Sequence, residues 1–182
     1  MKKTALKQKT PLRAKKGLNP KSKNPVKKKP KLKPLLKLRK DADIWFSRYV
    51  RLRDSEQDLQ GDWYGTCITC PTTYLVVNRD NKYQKSVNAG HFVSRGHLVV
   101  RFDELNVNLQ CVRCNKWKGG EYTKYRFALK EKYGNHVPEE LEQLANDQKN
   151  YRLSREELTQ VIHDAKECID WMLREEDNAK ED

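Results

Sequence analysis

Two short stretches of this sequence decide its fold: CITC at residues 67–70 and CVRC at residues 111–114. Each stretch places two thiols three positions apart, and 40 residues separate the two stretches. Two such knuckles can supply four thiolates in a tetrahedron around one zinc ion. The separation is longer than in compact zinc ribbons, so a folded segment should lie between the knuckles. The predicted structural zinc ligands are Cys67, Cys70, Cys111 and Cys114.

Other roles for the cysteines fit the pattern less well. A redox site needs only one C-x-x-C pair and usually a thioredoxin-like βαβ context, which is missing here. Disulfides are rare in the cytosol. The basic N-terminus lacks the apolar stretch of a signal peptide, so we expect a cytoplasmic protein. The fifth cysteine, Cys168, lies on the apolar side of a predicted helix and should pack as a small hydrophobe.

Residues 1–40 differ in composition from the rest of the chain. They hold 17 of the 38 basic residues, none of the 25 acidic residues and five of the seven prolines, so the net charge of +13 comes from this segment. Such a segment cannot bury enough apolar surface to offset its ordering entropy. We predict a disordered basic tail over residues 1–40 that binds the DNA backbone with strongly salt-dependent affinity.

Other partners of a basic tail are an anionic membrane surface and ribosomal RNA. Membrane binding fits poorly because the tail lacks the amphipathic or aromatic face of an interfacial helix. No apolar run in the chain approaches the ~20 residues that cross a bilayer. Nucleic acid is therefore the preferred partner, and no membrane partner is expected.

Helical periodicity flanks the cysteine region on both sides. An apolar face predicts a first helix that Asp41 or Asp43 would cap. Another helix should begin near Gly120 and end at Tyr133, before Gly134. Two further helices are predicted, one with Pro138 in its first turn and one opened by the capping box of Ser154 and Glu157.

Short strands are predicted in the middle of the chain. One strand begins at Trp63 and another covers residues 74–77, on either side of the first knuckle. Residues 89–93 and 98–102 should pair as a β-hairpin. We therefore predict an α+β fold in three parts: the tail over residues 1–40, a zinc-stapled module with its N-terminal helix over residues 41–134, and a helical region over residues 135–182.

The residues that carry chemistry lie between and just after the knuckles. His91, Asn106 and Asn115 follow one another in that order, and Asn115 directly follows the second knuckle. This order resembles the HNH nuclease motif in its zinc-bearing variant, with the final His replaced by Asn as in many members. More narrowly, the sequence is similar to the NinG/Rap family of lambdoid phages over nearly the whole chain. The similar stretches are CITC, AGHFVSRG at 89–96, RFDELNVNLQCVRCN at 101–115 and WFSRYVRLRD at 45–54.

This resemblance carries expectations about fold and function. It implies a small ββα-metal module (HNH, treble-clef-like) with flanking helices. It also implies a structure-specific endonuclease that cuts branched recombination intermediates, including Holliday junctions and D-loops, in the cytoplasm of a phage-infected host. Branched DNA and other recombination proteins would be the partners. Symmetric cutting of a four-way junction would favour a homodimer, since two strands must be cut.

The residue types suit phosphodiester hydrolysis, which needs a base for water and a divalent cation for the developing charge. His91 suits the base because an imidazole titrates near neutral pH. The Asn115 amide oxygen is an acceptable ligand for catalytic Mg²⁺ or Mn²⁺. By analogy with the family, Asn106 would hold the loop and orient His91. Attack in line would release the 3′ oxygen and leave a 5′-phosphate.

One position departs from the family pattern. Many HNH enzymes carry Asp or His just before the base as a metal ligand, and here that position is Gly90. Asp103, Glu104 and His97 are the alternatives for this ligand, and the sequence does not choose among them. Each member of the motif also has a structural alternative, with the histidine as a hydrogen-bonded core residue and the two asparagines as caps of turns or helices.

Several residues near this motif could contact DNA. Trp117 is expected to pack under the following helix, with stacking on an unpaired base as the alternative. The candidate cations for phosphate contacts are Arg95, Arg101, Arg113, Lys116, Lys118 and Lys124.

The competing functional hypothesis is a zinc-knuckle nucleic-acid-binding protein without catalysis. It explains the tail and the cysteines equally well but leaves the order of His91, Asn106 and Asn115 as coincidence. A transcription regulator is a weaker hypothesis because no recognition-helix pattern stands out.

Overall fold

The computed structural model of the chain describes residues 32–178, with side chains described up to residue 174. The helices are α1 (Leu35–Arg53), α2 (Tyr122–Tyr133), α3 (Val137–Asp147) and α4 (Arg155–Asn178). The strands are β1 (Glu56–Gln57), β2 (Trp63–Thr66), β3 (Thr73–Val77), β4 (Val87–His91) and β5 (Val107–Cys111). This mixture of helices and sheets confirms the predicted α+β class. No described helix combines the length and the apolar composition that crossing a membrane requires.

The first helix begins at Leu35, directly after Pro34, rather than at Asp41 or Asp43. Leucine, lysine and arginine, which fill the segment LLKLRK, are all good helix formers. Residues 35–40 therefore belong to α1, and the predicted tail boundary at residue 40 is wrong. The rest of the predicted tail, residues 1–31, lies outside the described residues.

The strands form two small antiparallel sheets. The first has the order β1-β2-β3, and the second pairs β4 with β5. In the second sheet His91 lies opposite Val107, so the predicted pairing of residues 89–93 with 98–102 is wrong. Residues 98–100 form a 3₁₀ turn instead. The closeness of the two segments in sequence favours a tight hairpin. The observed partner of β4 is β5, which follows a 15-residue loop, and contacts on both faces of the β4–β5 sheet fix this pairing.

Helix α1 packs across the second sheet and against α4. Phe46 and Val50 of α1 contact Val107 of β5 and Val161 of α4. Further along, Leu52 shares a cluster with Ile169 of α4. The described residues from Lys33 onward form one compact unit, so α3 and α4 share core clusters with the predicted zinc-stapled module.

Local sequence signals correctly predicted one end of each of the remaining three helices. Gly134, with φ of 115°, follows the last residue of α2, as the sequence predicts. Pro138 lies in the first turn of α3. The capping box before α4 forms in both directions. The Glu157 N–H donates to Ser154 Oγ at 3.1 Å, and the Ser154 N–H donates to Glu157 Oε2 at 2.8 Å.

The packing of α4 predicts different effects for two of its side chains. Ile169 is 6% exposed and Trp171 is 59% exposed. Ile169→Ala should lower the free energy of unfolding by about 2–5 kcal/mol because it leaves a cavity in the core. Trp171→Ala, the control, should change it by less than about 1 kcal/mol. Urea unfolding of both variants measures this. Equal losses in the two variants would contradict this packing. A urea midpoint that rises with protein concentration would indicate that a second copy packs against α4.

Candidate functional site

The four predicted zinc ligands come together in the structure. Cys67 and Cys70 lie in the turn between β2 and β3, Cys111 ends β5, and Cys114 lies in the π-helical turn that follows. Their sulfur atoms all lie within 4.8 Å of one another. Four thiolates about 2.3 Å from one zinc ion would be about 3.8 Å apart in an ideal tetrahedron. This donor set could therefore hold one structural zinc ion.

Hydrogen bonds to sulfur support that role. The Cys111 N–H donates to Cys67 Sγ at 3.3 Å, and the Cys114 N–H donates to Cys111 Sγ at 3.4 Å. Burial raises the pKa of the Cys111 thiol, but hydrogen bonds from Cys114 and Tyr74 outweigh burial and leave that pKa at about 7. N–H donors of this kind orient thiolate ligands and stabilise their charge.

The cysteine cluster joins the two sheets and positions the turn beyond β5. The Ile68 N–H in the first knuckle donates to the Leu109 carbonyl of β5 at 2.9 Å. After β5 the chain forms the π-helical turn Arg113–Trp117, which carries Asn115. Gly119 and Gly120 have φ of 63° and 87°, a region that favours glycine, and they redirect the chain into α2.

A groove of about 1070 Å³ runs between α1, β4 and this turn. His91 and Asn115 both line it, so the structure brings these two predicted site residues to one surface. Asp43 is the one carboxylate among the described residues that line the groove. The cations that line it are Arg48, Arg51, Lys85, Arg95, Arg101 and Lys116.

His91 is held in a defined orientation at the end of β4. Its Nε2 lies 3.1 Å from the Arg101 carbonyl oxygen. Because a carbonyl can only accept, Nε2 carries the proton and Nδ1 keeps the lone pair. Burial lowers the pKa of His91 to about 4, and the nearby Arg101 and Arg95 cations lower it as well, against the hydrogen bond to the Arg101 carbonyl. The imidazole is therefore neutral near pH 7 and able to accept a proton at Nδ1.

Asn106 is fully buried and does not line the groove. Its Oδ1 accepts from the Val93 N–H at 2.7 Å, and its Nδ2 donates to the carbonyls of Val93 at 3.0 Å and Val100 at 2.8 Å. The Phe92 N–H donates to the Asn106 carbonyl at 2.9 Å. Asn106 thus closes the loop that follows His91, and it acts on that loop rather than on reacting atoms.

Asp43 is a positioning residue that sequence reasoning missed. Both of its carboxylate oxygens accept from the Arg101 guanidinium, at 2.8 and 2.6 Å. This pair fastens α1 to the loop, and the carbonyl of the same arginine holds His91. Asp43 and Arg101 lie 58 residues apart, so no local pattern could reveal the pair.

The three alternatives for a further catalytic-metal ligand do not line the groove. Nδ1 of His97 lies 3.3 Å from the Ala145 carbonyl of α3. Asp103 Oδ1 accepts two backbone N–H groups of its own turn. Glu104 Oε2 accepts from the Tyr49 hydroxyl at 2.9 Å. Each of the three groups has a structural partner outside the groove, so the structure does not favour any of them as the missing ligand.

The glycine before His91 has a steric explanation. A Cβ added at Gly90 would lie 2.3 Å from Oε1 and 2.8 Å from Cβ of Gln110, the buried residue across the sheet. The side chain of Gln110 therefore fills the space that an Asp or His at position 90 would need. The departure from the family pattern is built into the packing of this sheet.

Some of the candidate cations are already paired. Lys118 and Lys124 lie 3.0 and 3.5 Å from a carboxylate oxygen of Glu121, and the Arg101 guanidinium is tied to Asp43. Arg95 and Lys116 line the groove, and Arg113 is exposed. The expected packing of Trp117 under the helix is wrong, because this side chain is 81% exposed.

The comparison with known proteins now identifies the family. Residues 1–175 match the family model described as Bacteriophage Lambda NinG protein. This chain belongs to the NinG family. It is 32% identical to Protein ninG of Salmonella phage P22 over 127 residues, which is 69% of this chain and 53% of that protein. It is 31% identical to Protein ninG of Escherichia phage 933W over 112 residues, 61% of this chain and 47% of that protein.

The chain spans about half the length of the curated NinG relatives it matches. No solved structure matches it.

Replacing one cysteine of the cluster should release zinc and unfold this NinG chain. Cys111→Ser removes a ligand that also ends β5, and metal binding and folding are linked in such sites. Cys168→Ser is the matched control, since Cys168 lies in α4 outside the cluster. Zinc analysis and thermal melting should give about one zinc per chain in the wild type and the control. An unaltered melting curve for Cys111→Ser would contradict the structural zinc site.

The low pKa of His91 predicts a pH dependence of stability. The unfolded histidine has the ordinary value of 6.5, above the folded value of about 4. As pH falls below 6.5 the unfolded state therefore binds the proton first, and stability is lost until about pH 4. Between pH 8 and pH 5 this contributes a loss of about 1–2 kcal/mol. Urea unfolding should show that extra loss in the wild type relative to His91→Gln, and equal losses would contradict the depressed pKa.

Proposed function

We propose that this NinG chain is a metal-dependent endonuclease that hydrolyses phosphodiester bonds in branched DNA. The observation that carries the proposal is the groove, in which a neutral histidine with a free Nδ1 and the amide of Asn115 lie among six cations, of which only Arg101 pairs with a described carboxylate. The order of His91, Asn106 and Asn115 on a strand, a loop and a zinc-supported turn supports the HNH (ββα-metal) type. We infer the branched DNA substrate from the family resemblance.

His91 is the proposed base. Its Nδ1 would accept the proton of a water molecule that attacks the scissile phosphate in line, while Nε2 stays bonded to the Arg101 carbonyl. Asn106 and the pair of Asp43 with Arg101 would hold the imidazole in place. These three residues touch the loop and not the phosphate, so they are positioning residues.

DNA binding should change the low pKa of His91. A base works best with a pKa near the working pH. A DNA phosphate bound near Arg95 would offset the cationic charge that lowers the pKa of His91, and its own negative charge would favour the protonated ring. We therefore expect bound DNA to raise the pKa of His91 towards neutrality.

The donor set fits a catalytic Mg²⁺ or Mn²⁺ only in part. The oxygen of Asn115 is a ligand of the right chemical type, whereas Asp43 is occupied by Arg101. Mg²⁺ commonly takes its remaining ligands from water and substrate phosphate. When bound, such a cation would stabilise negative charge on the leaving oxygen.

The rest of the chain suits a DNA partner. The lining cations Arg48, Lys85, Arg95 and Lys116 can hold phosphates along the groove. We propose that residues 1–31 add a salt-sensitive hold on the backbone and that the protein acts in the host cytoplasm, with other recombination proteins as further partners. If two copies cut a junction together, their contact must avoid the α4 residues that pack on α1.

Cleavage of a labelled four-way junction tests the proposal. Wild type with Mg²⁺ or Mn²⁺ should cut the junction faster than a linear duplex of the same length, and EDTA should abolish cutting. His91→Ala should lose cutting by at least about 100-fold, the usual share of a general base, and should keep gel-shift binding. His163→Ala is the control, because this exposed histidine of α4 lies away from the groove.

A non-catalytic zinc-supported DNA-binding protein is the second candidate. The occupied carboxylate of Asp43 and the absence of a side chain at Gly90 favour it, because both reduce the ligands for a catalytic cation. Under this candidate the wild type binds the junction and cuts nothing with either metal. His91→Ala then behaves as the wild type does.

A further inference from the structure

Trp117 is the most exposed aromatic side chain of the residues that the structure describes. It is 81% exposed, against 67% for Phe127 and 59% for Trp171. Tryptophan has the largest apolar surface of any side chain, so leaving it in water is costly. Tryptophan is also enriched at interaction surfaces, where one side of the ring is covered by a partner.

The backbone under Trp117 is firmly held. The π-helical turn that ends at Trp117 contains Cys114 of the zinc cluster. The Gly120 N–H donates to the Cys114 carbonyl at 2.9 Å, and the Lys118 N–H donates to the Arg113 carbonyl at 3.1 Å. The backbone of the turn is therefore already ordered, so a ligand that contacts the indole loses little backbone entropy on binding.

The surroundings of Trp117 are cationic and continuous with the groove. Lys116 and Arg113 are exposed in the same turn. Lys116, Asn115 and Gly119 line the groove, so the indole stands at its rim. A flat apolar ring beside free cations matches a nucleobase with its phosphates. An apolar protein surface would not need the cations, and a membrane surface would need a wider apolar face than one indole.

We propose that Trp117 stacks on an unpaired base at the branch point of DNA bound in the groove, while Arg113 and Lys116 hold the flanking phosphates. In a continuous duplex both faces of each base are covered by neighbouring bases, so the indole has nothing to stack on. At a branch, a gap or a flap, one face is open. Trp117 thereby gives this groove its preference for branched over linear DNA. The inference rests on the proposed function for its ligand, and it concerns binding rather than cutting.

Binding in EDTA tests the inference without any cutting. The DNAs are a three-way junction with two unpaired bases at the branch and a linear duplex of equal length. Trp117→Ala should weaken binding to the junction by roughly 5- to 150-fold, the usual loss for one base–aromatic stack, and leave duplex binding unchanged. Trp117→Phe should keep most of the affinity. Trp171→Ala is the matched control, another exposed tryptophan away from the groove, and should bind both DNAs as the wild type does.

A fluorescent base at the branch reports the stack directly. With 2-aminopurine in the unpaired position, wild type and Trp171→Ala should quench its emission, and Trp117→Ala should not. An unchanged ratio of junction to duplex affinity in Trp117→Ala overturns the inference, and so does equal weakening on both DNAs. If Trp117 covers a protein partner instead, Trp117→Ala keeps all DNA affinities, which also overturns it.

The two proposals fail separately. If the wild type binds the junction but cuts nothing with either metal, the endonuclease proposal is wrong and the stacking role is unaffected. If the wild type cuts the junction and Trp117→Ala changes neither affinity nor quenching, only the stacking role is wrong. Because Trp117 is exposed, the variant should keep its zinc content and melting temperature, which verifies that it is folded.

Discussion

Four cysteine thiols lie within 4.8 Å of one another where the two sheets of this chain meet, and one zinc ion bound to them would hold the sheets together. Neither sheet could stand alone, since one has three short strands and the other has two. The cluster links the turn between β2 and β3 to the end of β5, and it fixes the turn that carries Asn115 and Trp117. The wall of the groove that carries Asn115 therefore lies directly beside this link.

The cluster matters more because the centre of the fold is polar. Asn106, Asn108 and Gln110 are fully buried. They lie two residues apart, so they share one face of the strand and its preceding turn. Each fastens a different segment to β5: Asn106 the loop after His91, Asn108 the end of α2, and Gln110 the first knuckle together with Gly120. Buried amides add little hydrophobic stabilisation, so a zinc ion held by the four cysteines would contribute directly to the folding free energy.

Features with local physical causes could be predicted from the sequence. The zinc ligands followed from thiol spacing, and the ends of three helices followed from Gly134, Pro138 and the capping box at Ser154. The gathering of His91 and Asn115 at one groove also followed, from the family pattern. Each of these depends on residues within a few positions or on a known arrangement of ligands.

The features that escaped prediction depend on contacts between distant residues. The pairing of β4 with β5 is selected by α1 on one face and by buried amides on the other, and neither is visible in a strand pattern. The pair of Asp43 with Arg101 and the closeness of Gly90 to Gln110 likewise join separate segments. The predicted burial of Trp117 is wrong because its exposure follows from a π-helical turn, and no local sequence pattern predicts that geometry.

The geometry of the groove depends on residues that lie outside it. The histidine is oriented by a carbonyl of the loop, the loop by Asp43 and Asn106, and the opposite wall of the groove by the cysteine cluster. We expect this geometry to depend on the cluster, because both sheets are short. A zinc ion bound there would support the groove without lining it.

Hydrogen exchange with and without zinc tests this dependence most directly. In the zinc-bound protein, mass spectrometry of its peptides should show slow exchange in β4, β5 and the turn at residues 113–117. After chelation of the zinc, protection should be lost across both sheets and that turn together, because the cluster holds them as one unit. Unchanged protection of β4 and β5 after complete removal of the metal would contradict a structure that depends on the cysteine cluster.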